Sequence, residues 1–255
     1  MGKTLADTTL EEAEQLWLSG ELQRAREAFR RARLLYRENG DPPGEAAALT
    51  QLGDLEAESG HAANAREAYV EARTLYARDG DQRDQAGILV RLARLAHRQH
   101  HHDEARSCLL SAHELYDSAA DFSGLGHVAK RLGHLERDQG RQDLALDRYR
   151  EAVAYYRRGH DTLGEANVLK ALGGVNRALG QIDRARADYE RALDLLAEVG
   201  DQLGQAGAAR ALGRVLAEAG EKPEAHAAFD RARKLFAACG AADLAADMAE
   251  EARRL

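Results

Sequence analysis

Residues 41–80 read DPPGEAAALTQLGDLEAESGHAANAREAYVEARTLYARDG, and this stretch decides the fold because it recurs along the chain. Asp41 is a good helix N-cap, and Pro42 follows at the first helical position, where its missing N–H costs nothing. Leu49, Leu52 and Leu55 then make an apolar stripe at helical spacing, which ends near Gly60. Ala65, Tyr69, Ala72 and Tyr76 make a second stripe, closed by Gly80. The stretch is a helical hairpin. Small residues at 53, 65 and 72 let its two helices approach closely, and Tyr69 is expected to fill the space between neighbouring hairpins.

Written in rows of 40, the 255-residue chain aligns without a gap. Gly-Asp recurs at 40–41, 80–81 and 200–201, with Ala120-Asp121 and His160-Asp161 in the same register. A second glycine follows at 44, 124, 164 and 204, with Asp84 in the odd row. Leu-Gly stands at 52–53, 132–133, 172–173 and 212–213, with Leu92-Ala93 beside them. A turn glycine comes at 20, 60, 140, 180 and 220, replaced once by His100. Then Ala, an aromatic and Ala recur, as in Ala25/Phe29/Ala32, Ala145/Tyr149/Ala152, Ala185/Tyr189/Ala192 and Ala225/Phe229/Ala232. One hairpin cannot bury its own stripe, so neighbours must stack into a continuous core. The rows run approximately 7–40, 41–80, 81–120, 121–160, 161–200 and 201–240, and a helix over 241–255 with Leu244 and Met248 caps the last.

Composition agrees. Three prolines, 5% aromatics and an excess of Ala, Leu, Arg and Glu favour helix throughout. With 44% hydrophobic residues against 31% charged, disorder is excluded. The net charge of −7 gives no general argument for nucleic acid. The polar opening and the lack of a long apolar run predict no membrane span and a cytoplasmic location. Cys108 and Cys239 lie in distant rows and are expected to be free thiols.

The Leu-Gly, Ala, aromatic, Ala series, at spacings of twelve, four and three, resembles the tetratricopeptide repeat over essentially the whole chain. Three departures stand out. The family's first-helix Trp position is mostly Leu or Val, its Tyr position varies, and its terminal Pro is absent, with six extra residues per row. That longer variant is similar to the repeats of Pins/LGN adaptors and of arrays attached to bacterial regulators and signalling ATPases. The resemblance implies an all-α, right-handed α-solenoid of six helix-turn-helix units plus a C-terminal capping helix. It also implies a scaffold that binds a protein or peptide, without catalysis.

In such a solenoid the first helix of each row lines the concave face. Register then places Arg91, Arg94 and His97; Lys130, Arg131, His134 and Arg137; Lys170 and Arg177; and Arg210 and Arg214 in the groove. His127 and Asn167 lie one turn earlier. The acids are expected elsewhere, for instance Asp183, Glu190 and Asp194 on a second helix. The expectation is an electropositive groove for an acidic segment, in which arginines grip carboxylates bidentately. The plainer alternative is that these are solvated, helix-favouring side chains. Asn167 with Lys170 is the only fragment that resembles the family's carboxylate clamp. The second functional reading is a sensor module whose solenoid answers a peptide or small signal and controls an effector.

His97 and His101 have the spacing that puts two ligands on one helix face, yet no further ligand completes a metal set. No phosphate-binding glycine loop or nucleophile motif is present, so neither an enzyme nor a cofactor is expected. The tyrosines take core positions, which disfavours nucleic acid as a partner. Trp17 is expected to pack against the second row, and self-association stays open.

Overall fold

The structure, a computed structural model, describes residues 3–255. All its regular elements are helices: α1 (Leu5–Leu18), α2 (Leu22–Glu38), α3 (Pro42–Glu58), α4 (Ala62–Asp79), α5 (Gln82–Arg98), α6 (His102–Ser118), α7 (Phe122–Asp138), α8 (Gln142–Arg158), α9 (Thr162–Ala178), α10 (Ile182–Glu198), α11 (Gln202–Glu218), α12 (Lys222–Ala238) and α13 (Ala242–Arg253). No strand occurs among the described residues. The odd-numbered helices open the rows and the even-numbered ones close them. Two compact units divide the chain, the first ending at Gly124 and the second running over Leu125–Leu255.

The motif Gly-Asp-x-x-Gly explains how one row passes to the next. Gly40 turns left-handed at φ +66°, and the Asp41 N–H donates to the Tyr36 carbonyl at 2.9 Å, closing α2. The Asp41 carboxylate then accepts from the Gly44 N–H at 3.0 Å and opens α3. Asp81, Asp121, Asp161 and Asp201 cap their helices in the same way. Where glycine is missing the left-handed turn persists, at His100 (φ 60°), Ala120 (49°) and His160 (53°).

Two sets of glycine–ring contacts build the core. Within a row, Gly53 lies against Tyr69, where a Cβ would come 2.5 Å from the ring; Gly133 meets Tyr149 alike, and Gly213 meets Phe229 at 2.8 Å. Tyr69 therefore sits on the glycine of its own hairpin and also meets the next row, sharing a buried cluster with Ile88, Leu92 and Leu95 as its spacing suggested. A second ring reaches across at three of the joints, Tyr36 on Gly44, Tyr116 on Gly124 and Tyr156 on Gly164, while Leu196 takes the ring's place at Gly204 and Asp84 replaces the glycine in the third row. Where a ring is present, it occupies the volume that a side chain at the glycine would need.

In the first unit, Leu49, Tyr69, Tyr76, Ile88, Leu92 and Leu95 form one buried cluster. Trp17 packs edge-on against Phe29 at 6.0 Å, in a cluster that includes Leu52 and Leu55. A buried ion pair also ties α2 to α3: Arg26 Nε donates to Glu56 at 2.7 Å, and His61 Nδ1 lies 2.8 Å from the same carboxylate. Burial pushes the Glu56 carboxyl up, but hydrogen bonds from Arg26 and His61 outweigh it and hold the net shift downward. In the second unit one cluster runs from Tyr149 and Tyr156 through Leu172 and Leu196 to Val215, Phe229, Phe236 and Met248. Helix α13 buries Ala245 and Met248 there, as expected of a cap.

Candidate functional site

The first helices of the rows carry the candidate cations, and their fates differ. In the first unit, Arg91 Nε donates to Asp54 at 2.9 Å and Arg94 Nη2 donates to the same carboxylate at 3.1 Å. Tyr69 Oη donates to Asp54 as well, at 2.7 Å. Both arginines are thus held by an acid on the preceding first helix. His97 turns its ring to within 5.7 Å of His102 on α6. His101 is the N-cap of α6 and His97 lies on α5, so the two do not share a helix face as their spacing predicted.

In the second unit the outermost arginines are also matched. Arg177 on α9 donates to Glu218 on α11 at 2.6 and 2.9 Å, and Arg214 on α11 donates to Glu251 on α13 at 2.5 and 2.9 Å. With Phe229, Arg254 and Leu255 they line a cleft of about 430 Å³. Arg137, exposed, pairs with its neighbour Asp138 at 2.9 Å. The expectation that acids lie away from this face is therefore wrong: Glu218 and Glu251 each match one arginine, and Asp54 is shared by Arg91 and Arg94. Asp54 was findable, since it occupies the register of Arg94, His134 and Arg214. Glu251 was not, because α13 lies outside the repeat.

A line of cations remains between these pairs. Lys130 on α7, Lys170 on α9 and Arg210 on α11 occupy one register position in successive rows. Lys130 Nζ lies 5.7 Å from the centre of the Tyr156 ring, and the Arg210 guanidinium 5.8 Å from that of Phe236. Lys170 Nζ borders the bare Cα of Gly207 on α11. All three are half-buried, and among the described residues none has a carboxylate within 4 Å. Burial pushes both lysine pKa values down; Arg131 adds to the effect at Lys130, while Asp161 opposes it, and at Lys170 Asp201 opposes it and Arg210 adds to it. These carboxylates act at a distance and neither contacts the line directly.

The remaining candidates flank the line. His127 Nδ1 lies 3.2 Å from Tyr156 Oη, and His134 Nδ1 2.8 Å from Tyr149 Oη. Arg131 is partly buried beside Lys130, and Asn167 sits one turn before Lys170 on α9. Beyond Asn167 the face has few side chains: Ala171 and Gly174 on α9, Gly207 and Ala211 on α11.

The fold defines a helical-repeat protein built of stacked helix pairs. A tetratricopeptide-repeat family model matches residues 84–158 and 164–238, and the chain belongs to that family. Among solved structures, BtubC (BKLC) from P. vanneervenii is 23% identical, with 93% of each chain covered and a TM-score of 0.72. A Rap protein complexed with Competence and Sporulation Factor is 14% identical, covering 100% of this chain and 76% of that one at a TM-score of 0.70. A signal transduction ATPase (STAND) protein with a tetratricopeptide repeat sensor, from Pyrococcus horikoshii, is 16% identical at a TM-score of 0.71. The match covers 96% of this chain and 36% of that one. At these identities the likeness establishes the fold. No curated protein matches the chain in sequence. No helix among the described residues is long and apolar enough to cross a membrane.

Proposed function

We propose that the chain is a protein-interaction scaffold, and that the first-helix face of its second unit binds an acidic segment of another protein. The observation that carries this reading is the line Lys130, Lys170 and Arg210, half-buried without carboxylates beside arginines that have them. A half-buried cation lacks part of its hydration, so a ligand carboxylate recovers more there than at a solvated lysine. Each such contact contributes about 0.2–1 kcal/mol at an exposed site and more where water is excluded. Affinity then grows with the number of contacts and falls with salt.

Fluorescence anisotropy with a labelled Glu-rich peptide, on wild type and on Lys130→Glu/Lys170→Glu/Arg210→Glu, tests the reading. Binding that disappears in the variant supports it; equal binding by both proteins removes it. The second reading, a sensor module that controls an effector, draws support from the likeness to the Rap complex and to the STAND sensor region. It requires that a bound ligand change the chain's affinity for a separate protein, which a two-ligand binding titration measures.

A further inference from the structure

Three cations at one register position on successive first helices make a ruler. Where neighbouring first helices touch, their axes lie about 8–10 Å apart, and the 40-residue repeat carries that step from one row to the next. Helices α9 and α11 are in direct contact and are bridged by Arg177 and Glu218 at 2.6 Å. We propose, resting on the acidic-segment reading above, that this face takes an extended polyproline-II segment with a carboxylate at every third residue, one each for Lys130, Lys170 and Arg210.

The geometry of the alternatives selects this form. A polyproline-II chain has three residues per turn and rises about 3.1 Å per residue, so one face recurs every ~9.3 Å. A β-strand presents one face every ~6.7 Å and again at ~13 Å, out of step with the helices. An α-helix returns to one face after seven residues, about 10.5 Å, but brings a body about 10–12 Å wide. The floor beside the cations favours the slimmer ligand. Ala171, Gly174, Gly207 and Ala211 leave room for a backbone to lie close. Asn167, one turn before Lys170, presents an amide donor and acceptor. A polyproline-II backbone makes no internal hydrogen bonds and can use that amide, whereas a helix has satisfied its own groups.

Three labelled peptides of identical length, number of Glu residues and net charge separate the cases. One carries Glu at every third position in a Pro-rich frame, one carries its Glu residues in a single block, and one is helical with Glu at every seventh position. Titrated against the full chain, the first is expected to bind about tenfold more tightly than the block peptide. Lys170→Ala is expected to weaken the first peptide several-fold, with Lys170→Arg retaining it and circular dichroism showing the fold intact. If the block or seven-spaced peptide binds equally well, the three-residue spacing is overturned while the acidic-segment reading stands. If none binds above an uncharged control, both fall.

Discussion

Tyr149 Oη stands 2.8 Å from Nδ1 of His134, and burial decides which of the two gives the proton. Burial pushes His134 down to about 4, with Arg137, Arg131 and Lys130 adding to it against Asp138. Burial likewise pushes the Tyr149 hydroxyl up to about 12. At neutral pH the ring is uncharged, Nδ1 accepts, and the tyrosine donates.

A pH dependence follows. The unfolded chain protonates this histidine near pH 6.5, while the folded chain resists until about pH 4. Between those values the unfolded state holds the extra proton, so stability falls as pH drops through the window. The loss amounts to about 3 kcal/mol when complete. Urea denaturation of wild type and His134→Gln at pH 7 and pH 4.5 checks it. The variant should lose markedly less on acidification, and parallel losses would refute the assignment.

The glycine–ring contacts predict steric sensitivity. Gly133→Ala drives a Cβ to 2.5 Å from the Tyr149 ring and should cost about 1–3 kcal/mol. In Tyr149→Leu, which removes the ring, the same change should be much milder. A double-mutant cycle by chemical denaturation reads the coupling, and additive effects would show that the glycine serves something other than the ring.

The left-handed turn at Ala120 predicts the opposite sign. A Cβ at φ 49° is strained, so Ala120→Gly should stabilise by about 0.5–1 kcal/mol. His160→Gly, at φ 53°, should do the same. Gly40→Ala should destabilise by a comparable amount. A rise in the urea midpoint at unchanged slope is the expected observation.

The Arg26–Glu56 pair is the costliest polar contact to break. Glu56 is 1% exposed, and Arg26→Ala leaves its carboxylate buried with only His61 and the more distant Arg30 nearby. A loss of about 3–5 kcal/mol is expected at pH 7. A loss below 1 kcal/mol would mean that water reaches the site. By contrast Glu251→Gln, at a partly solvated pair with Arg214, should cost at most about 1 kcal/mol.

The fold was legible because every physical requirement of a row is written in residue type at a fixed interval: caps as Asp, left-handed turns as Gly, close approaches as Gly or Ala. The seat of Tyr69 on Gly53 was not, since spacing says that a ring is buried without saying which glycine it meets. The two glycine series answered that only once the helices were in place. The cations of the candidate site were legible by register, but their partners were not. Asp54 and Glu218 belong to neighbouring rows and Glu251 to a helix outside the repeat, so no local pattern joins them to Arg91, Arg177 or Arg214. Reading cations alone overstated the positive charge. Structure paired five of the thirteen candidates with carboxylates and left the register line Lys130, Lys170 and Arg210 among the others.

Tyr36 seated on Gly44, Tyr116 on Gly124 and Tyr156 on Gly164 also give the array a grammar. At these three joints a row ends in a plug and the next begins with a socket; Leu196 on Gly204 is a smaller plug, and Asp84 stands where a socket would be. Rows from this chain could be reordered or lengthened by recombination wherever a plug meets an open glycine. A copy inserted after residue 240, where Leu244 holds the glycine register, would have to bring its own socket.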